Sequence, residues 1–123
     1  MPDPRHLLGR RGEEMAAEWL VSRGWTILAR RWRAVGGELD LVATDPNGVL
    51  VAVEVKLRRT PRTGIPADSV DRRRLIRLRA ALGHFRAMEG EGIRREQRID
   101  LVAISRQPDG CWRLAHHPAI DGW

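Results

Sequence analysis

Four charged residues around one short turn, Glu38, Asp40, Glu54 and Lys56, are the group in this 123-residue sequence whose types and spacing could do chemistry. The stretch Asp45-Pro46-Asn47-Gly48 has proline where a type I turn wants it and glycine where the next residue must be left-handed, the signature of a three-residue hairpin loop with a bulge. That loop pairs Asp45 with Val49, so Asp40 is expected to face Glu54 and Glu38 to face Lys56. Because side chains alternate along a strand, Leu39, Leu41 and Ala43 then oppose Val55, Val53 and Val51 as one apolar face. The four charges share the other. A two-residue loop would slip the register and set Asp40 among the valines.

Cross-strand neighbours on one face have Cβ atoms about 4.5–5.5 Å apart, so Asp40 and Glu54 can share a cation. With no cation, two adjacent carboxylates repel and one of them holds its proton to higher pH. Mg²⁺ suits such a pair, since it takes hard oxygen ligands and needs only one or two protein carboxylates beside water and phosphate. Lys56 is the single lysine among 22 basic Lys and Arg residues. A compact ammonium two residues from Glu54 reaches a water or a phosphate oxygen and changes pKa on desolvation, as a guanidinium does not. The plainer alternative is a solvated charged face, because Glu-x-Lys occurs on many exposed strands.

Glu-x-Lys in an apolar strand, with Asp in the adjacent strand, resembles the PD-(D/E)XK nuclease core. Gly37-Glu38-Leu39-Asp40 followed by Val53-Glu54-Val55-Lys56, with Gly9 and Glu13 upstream, resembles more specifically the YraN-like family of small endonuclease-like proteins, over about Gly9 to Ile104. The resemblance implies a restriction-endonuclease-like α/β sandwich that hydrolyses DNA phosphodiesters with Mg²⁺ or Mn²⁺. Asp40, Glu54 and the Val55 backbone carbonyl would hold the ion, which polarises the scissile phosphate and supplies hydroxide. Lys56 would position that water or neutralise developing charge, and Glu38 would orient Lys56 or serve as a further acid. Glu13 matches the family's Gly-x-x-x-Glu pattern, in which a first-helix glutamate approaches the metal. Equally, Glu13 and Glu14 are acids in a first helical turn, where the helix dipole favours them. Two positions depart from the pattern: Leu39 rather than proline precedes Asp40, and Trp32 stands where asparagine is frequent.

The elements that must position these groups follow from periodicity. A helix is expected from about Gly9 to Arg23, with Leu8, Gly12, Met15, Ala16, Trp19 and Leu20 as its apolar stripe and Gly24 as its stop. Trp25 to Arg33 reads as a strand with Trp25, Ile27 and Ala29 inward, and the hairpin follows. Leu57 to Asp68 reads as a loop, and Ser69 to about Met88 as a helix capped by Asp68 or Ser69, with Leu75, Leu78, Ala81, Leu82 and Phe85 buried. Gln97 to Ser105 is apolar on both faces, as a central strand should be, and Asp100 is expected in a structural hydrogen-bonding role, the alternative being a further acid near the site. Cys111 to Ala115 completes the order α-β-β-β-α-β(-β), a mixed sheet in an α/β fold.

One domain, residues 1–123, is expected, with its core at about 9–115 and a loosely ordered tail at 116–123. Apolar content of 42% is ordinary for a globular chain, and no run approaches a membrane span or a signal peptide, so the cytoplasm is the default compartment. The lone Cys111 excludes an internal disulfide and a cysteine zinc cluster.

Net charge is +6, and the segment from Leu57 to Arg79 alone holds eight arginines against two acids. Arg58, Arg59 and Arg62 in the loop and Arg72, Arg73, Arg77 and Arg79 on the helix are expected to form a phosphate-binding track that grips nucleic-acid backbone without reading sequence. Arg72, Arg79 and Arg86 recur every seven residues and Arg73 and Arg77 sit four apart, so these arginines are expected to line the outer surface of the helix. Recognition is then by shape: branched, flapped or single-stranded DNA. By analogy with junction-resolving relatives, a homodimer is expected. The competing function is a non-catalytic DNA- or RNA-binding module that keeps a nuclease-like fold.

Overall fold

Pro4 opens the first helix, where a fixed φ suits the helix and the missing N–H would have had no partner. The computed structural model describes residues 4–58 and 70–121. Helix α1 spans Pro4–Ser22. It ends as the glycine signal predicts: Gly24 takes φ 91°, and the N–H groups of Arg23, Gly24 and Trp25 turn back to the carbonyls of Leu20, Val21 and Leu20.

Strands β1 (Thr26–Ala34), β2 (Gly37–Thr44) and β3 (Leu50–Arg58) follow, then helix α2 (Arg72–Glu89), β4 (Gln97–Arg106) and β5 (Trp112–His117). The five strands form one sheet in chain order. β3 and β4 run parallel, and the other neighbours are antiparallel, so α2 is the crossover that a parallel pair requires. The fold is α/β, with a mixed sheet between two helices. No helix among the described residues is long and apolar enough to cross a membrane.

Each sheet face carries its own core. Ala16, Ala17 and Leu20 of α1 cover Leu41, Ala43, Val51, Val53, Val102 and Ile104. Leu78, Ala81, Leu82 and Phe85 of α2 cover Leu39, Val42, Leu50, Ala52, Ile99 and Leu101. β4 supplies both faces, as its unbroken apolar sequence predicts. Trp32 joins the α2 core by edge-to-face contacts with Phe85 at 5.3 Å and His84 at 5.5 Å.

Several expectations need correction. The α2 N-cap is Asp71, whose side chain accepts the Arg74 N–H at 2.8 Å; the expected caps Asp68 and Ser69 lie outside the described residues. Ile27 and Ala29 do not share a face, because a bulge between them shifts the β1–β2 register and turns Ala29 to the α2 core. Leu39 likewise leaves Leu41 and Ala43 for the α2 core.

The expected loose segment after residue 115 is tied down to residue 121. β5 continues through His116 and His117, the Ile120 N–H donates to the Ile99 carbonyl, and Asp121 pairs with Arg79 at 3.1 Å.

Candidate functional site

The turn forms as the sequence predicts. Gly48, at φ 84°, donates to the Asp45 carbonyl at 2.9 Å, while the Asp45 side chain accepts the N–H groups of Asn47 and Val49. The β2–β3 ladder has the expected register from Thr44↔Leu50 to Leu41↔Val53.

There it stops. Continued alternation would send the Val55 N–H to the Leu39 carbonyl, because Asp45 and Val49 are a hydrogen-bonded pair. The Val55 N–H goes instead to the Asp40 carboxylate at 3.0 Å. Opposite Asp40 on β1, Arg31 takes φ 49° and drops out of the ladder between Arg30↔Leu41 and Trp32↔Leu39. Pleat alternation therefore breaks at Asp40, which sends Leu39 to the other core and lets the Asp40 side chain reach across the opening strands.

Asp40 and Glu54 still meet, through side chains rather than as a ladder pair. Burial and the Glu54 carboxylate push Asp40 up to about 7, with the Val55 N–H opposing and Glu13 adding to the rise. Glu54 is 3% exposed. Its Oε1 accepts from Arg74 Nη2 at 2.7 Å, and its Oε2 is buried with no partner. Two desolvated carboxyls close enough to share a hydrogen bond, one of them with an unfilled oxygen, match a site completed by a proton or a small cation. The donor set of Asp40, Glu54 and the Val55 carbonyl fits a hard divalent ion by its chemistry. A third acidic, histidine or cysteine side chain does not converge with them among the described residues.

The remaining expected residues divide. Lys56 extends from β3, half-buried, beside Ala103 of β4 and on the same face as Glu54. Glu38 does not face Lys56: the ladder ends before it, and Glu38 is paired with Arg33 of β1 at 3.4 Å. Glu13 makes a 2.7 Å ion pair with Arg31, so the left-handed turn at Arg31 ties α1 to the sheet while Glu13 bears on Asp40 through its field.

Of the expected phosphate track, Arg59, Arg62 and the Arg58 side chain lie outside the described residues. Arg72, Arg73 and Arg77 are exposed on α2. Arg79 is committed to Asp121, donating to both its side chain and its carbonyl. Arg86, in the same heptad row, holds the carbonyls of Arg94 and Glu96 and the Gln97 side chain. The seven-residue repeat of arginines is therefore not a solvent-facing row. Its later members staple α2 to neighbouring chain.

Arg74 is the residue that sequence reading missed. A signal was present: Arg74 lies four residues before Leu78, on the stripe that continues through Ala81, Leu82 and Phe85. An arginine on a buried helical face requires a buried acid. That acid is Glu54.

A second polar network lies on the α1 face of the sheet, whereas Glu54 meets α2 on the other. Asp100, fully buried, accepts from Arg98 Nε and Nη2, from the Ala119 N–H, and shares a 2.8 Å hydrogen bond with His116. Burial alone would raise its pKa, but these donors outweigh burial and hold the carboxyl below its ordinary value. Arg98 also bonds Asp45, locking the hairpin turn to β4. His116 stands edge-on to Trp19 and Trp25. Asp100 thus serves structure, as expected. A cavity of about 270 Å³ between Arg79, Gln97, Arg98 and Asp121 lies at the start of β4, and neither Asp40 nor Glu54 lines it.

The model of the uncharacterised protein family UPF0102 matches residues 12–104, which include Glu13, Asp40, Glu54 and Lys56. This chain belongs to the UPF0102 family. It is 42% identical over 109 residues to a UPF0102 protein of Beutenbergia cavernae, with 89% of this chain and 91% of that one covered. A UPF0102 protein of Roseiflexus castenholzii is 43% identical over 105 residues, covering 85% and 84%. One from Desulforamulus reducens is 34% identical over 113 residues, covering 92% and 93%. The YraN-like resemblance read from the motifs is thereby established at the level of this family.

Proposed function

We propose that this UPF0102 protein is a metal-dependent endonuclease of the PD-(D/E)XK type, with a restriction-endonuclease-like fold, that cleaves DNA by shape rather than sequence. The observation that carries the reading is the buried, unpartnered Oε2 of Glu54 in a site where Asp40 is driven up to about 7. An apolar strand leaves a carboxylate oxygen unfilled at a cost of about 1–3 kcal/mol, which a ligand can recover. The order α-β-β-β-α-β and the motif Asp40…Glu54-Val55-Lys56 support the superfamily assignment.

Asp40, Glu54 and the Val55 carbonyl would hold Mg²⁺ or Mn²⁺. When bound, such an ion polarises the scissile phosphate and an attacking water. The chain's own groups do the rest. Asp40 gives up its proton on loading, Lys56 offsets charge on the phosphate, and Arg74 fixes the orientation of Glu54. Arg72, Arg73 and Arg77 meet the backbone, a contact that weakens with salt.

A second reading, a non-catalytic nucleic-acid-binding module, is favoured by Arg74 itself, which at 2.7 Å already neutralises Glu54.

The deciding experiment is a cleavage assay on linear, single-stranded, flap and four-way DNA with Mg²⁺, Mn²⁺ or EDTA. Wild type is compared with Asp40→Asn, Glu54→Gln and Lys56→Ala. Metal-dependent products lost in all three variants support hydrolysis. Binding without products by every protein supports the second reading, and products that persist in the variants defeat the assignment of the site.

A further inference from the structure

A cavity of about 160 Å³ opens between the β1–β2 turn and the first three turns of α2, lined by Gly36, Gly37, Glu38, Arg74, Arg77, Leu78 and Ala81, and it meets the carboxylate pair through Arg74, which bonds Glu54. We propose that this cleft binds one phosphate group of a nucleic-acid strand through Arg77 and Arg74, and that Arg74 links that phosphate to Glu54. The inference rests on the nucleic-acid part of the function proposed above and not on its hydrolytic part.

Charge points to an anion. Glu54 is matched by Arg74 and Glu38 by Arg33, which leaves the exposed Arg77 as positive excess in the wall of the cleft. Among the described residues Arg77 makes no ion pair.

Hydrogen bonding points the same way. Arg74 uses Nη2 on Glu54, while its Nε is shut off from solvent and has no acceptor. An arginine fork that spends one corner on a carboxylate and leaves its Nε–H unfilled is half of a bidentate site. A phosphate, with oxygens spaced for that fork, is the chemistry that completes it. To do so, Arg74 must turn about its side-chain bonds, and as it is 36% exposed it has room on the cleft side.

The opposite wall suits a close approach. A Cβ built on Gly36 or Gly37 meets nothing within 4 Å, so this wall leaves room for a ligand to come close, and Gly36 takes φ 90°. Glu38 is the opposing feature: its carboxylate at the cleft, offset by Arg33, weakens any anion. A pocket for one group, rather than an open groove, favours a strand end or a sharply turned backbone, in keeping with shape selection.

The test uses the full-length ¹⁵N-labelled protein in EDTA, so that no turnover occurs. It is titrated with inorganic phosphate, a 5′-phosphorylated oligothymidylate and the 5′-hydroxyl form of the same oligonucleotide. The readouts are the Nε–H resonances of Arg74 and Arg77 and the backbone amides of Gly36 and Gly37. Saturable shifts in this set are expected. Arg77→Ala should weaken them by about five-fold or more, as loss of one charge-assisted contact does, and Glu38→Gln should strengthen them. Tighter binding of the phosphorylated oligonucleotide assigns the cleft to a terminal phosphate; equal binding of the two assigns it to a backbone diester. No saturable shift in this set, or equal affinity in Arg77→Ala, overturns the proposal. Arg77 is exposed, so its truncation leaves the fold intact, and Asp40→Asn separates the two claims. Shifts that persist in a variant that no longer cleaves support the cleft independently of catalysis, and DNA cleavage without shifts rejects the cleft alone.

Discussion

The guanidinium of Arg74 lies 2.7 Å from Oε1 of Glu54, joining the first turn of α2 to β3 across the α2 core. The pair fixes one oxygen of a 3%-exposed carboxylate and leaves the other buried without a partner. It therefore sets both the stability of this region and the direction in which Glu54 can bind.

Truncating one partner of such a pair is costly. Glu54→Ala is expected to destabilise by about 3–5 kcal/mol, because it strands a half-buried guanidinium and leaves a void. Glu54→Gln keeps the shape and an acceptor for Arg74, and so should lose far less. Urea denaturation of both variants tests this; equal losses would show that Arg74 does not depend on Glu54.

Asp40 should make the metal-free protein less stable as pH rises. Its folded-state value, about 7, lies above the ordinary 3.8, so the folded state retains a proton that the unfolded chain has released. The contribution is full below pH about 4 and is lost progressively up to about 7, at no more than about 1.4 kcal/mol per pKa unit. Asp40→Asn should flatten this slope and stabilise the protein at pH 8. Mn²⁺ binding, followed calorimetrically in buffers of different ionisation enthalpy, should release close to one proton at pH 6 and few at pH 8. No proton release at pH 6 would contradict the assignment.

Asp100 acts with the opposite sign. Its folded-state pKa lies below the ordinary value, so its contribution is present above pH about 4 and is lost as pH falls through the folded value. Asp100→Ala should cost about 3–5 kcal/mol by leaving Arg98 Nε and Nη2 and the Ala119 N–H without their buried acceptor. At pH 7, Mn²⁺ affinity should stay unchanged, since the network bonds neither Asp40 nor Glu54 and lies on the other face of the sheet from Glu54. A melting-temperature series and a metal titration on one variant check both parts.

Two glycines in α1 look structural in sequence but have room for a methyl group. A Cβ on Gly9 meets nothing within 4 Å, and one on Gly12 reaches Ile104 and Leu57 at an ordinary 3.7 Å. Gly9→Ala and Gly12→Ala should each stabilise by about 0.5–1 kcal/mol through helix propensity. A lower melting temperature in either variant would show a close approach that α1 needs.

Local rules reached far along this chain because its strongest signals are local. Pro46 and Gly48 set the turn, the turn set the register from Thr44↔Leu50 to Leu41↔Val53, and β4 announced its central position by being apolar on both faces. The same rules failed at Asp40. There a side chain competed with a backbone carbonyl for the Val55 N–H, and strand alternation has no term for that contest. The arginine rows failed for a related reason. Arg72, Arg79 and Arg86 share a helical spacing, but spacing does not say that Asp121 and the carbonyls before β4 will come within reach of two of them.

By itself, then, the sequence determined the α/β order, the hairpin and the types of its site residues, all products of short-range backbone preference and apolar periodicity. Tertiary structure decided which charges meet. It gave Glu54 to Arg74, Glu38 to Arg33 and Glu13 to Arg31, because ion pairing depends on distances between elements far apart in the chain, and those are fixed only when two helices close on the two faces of one sheet.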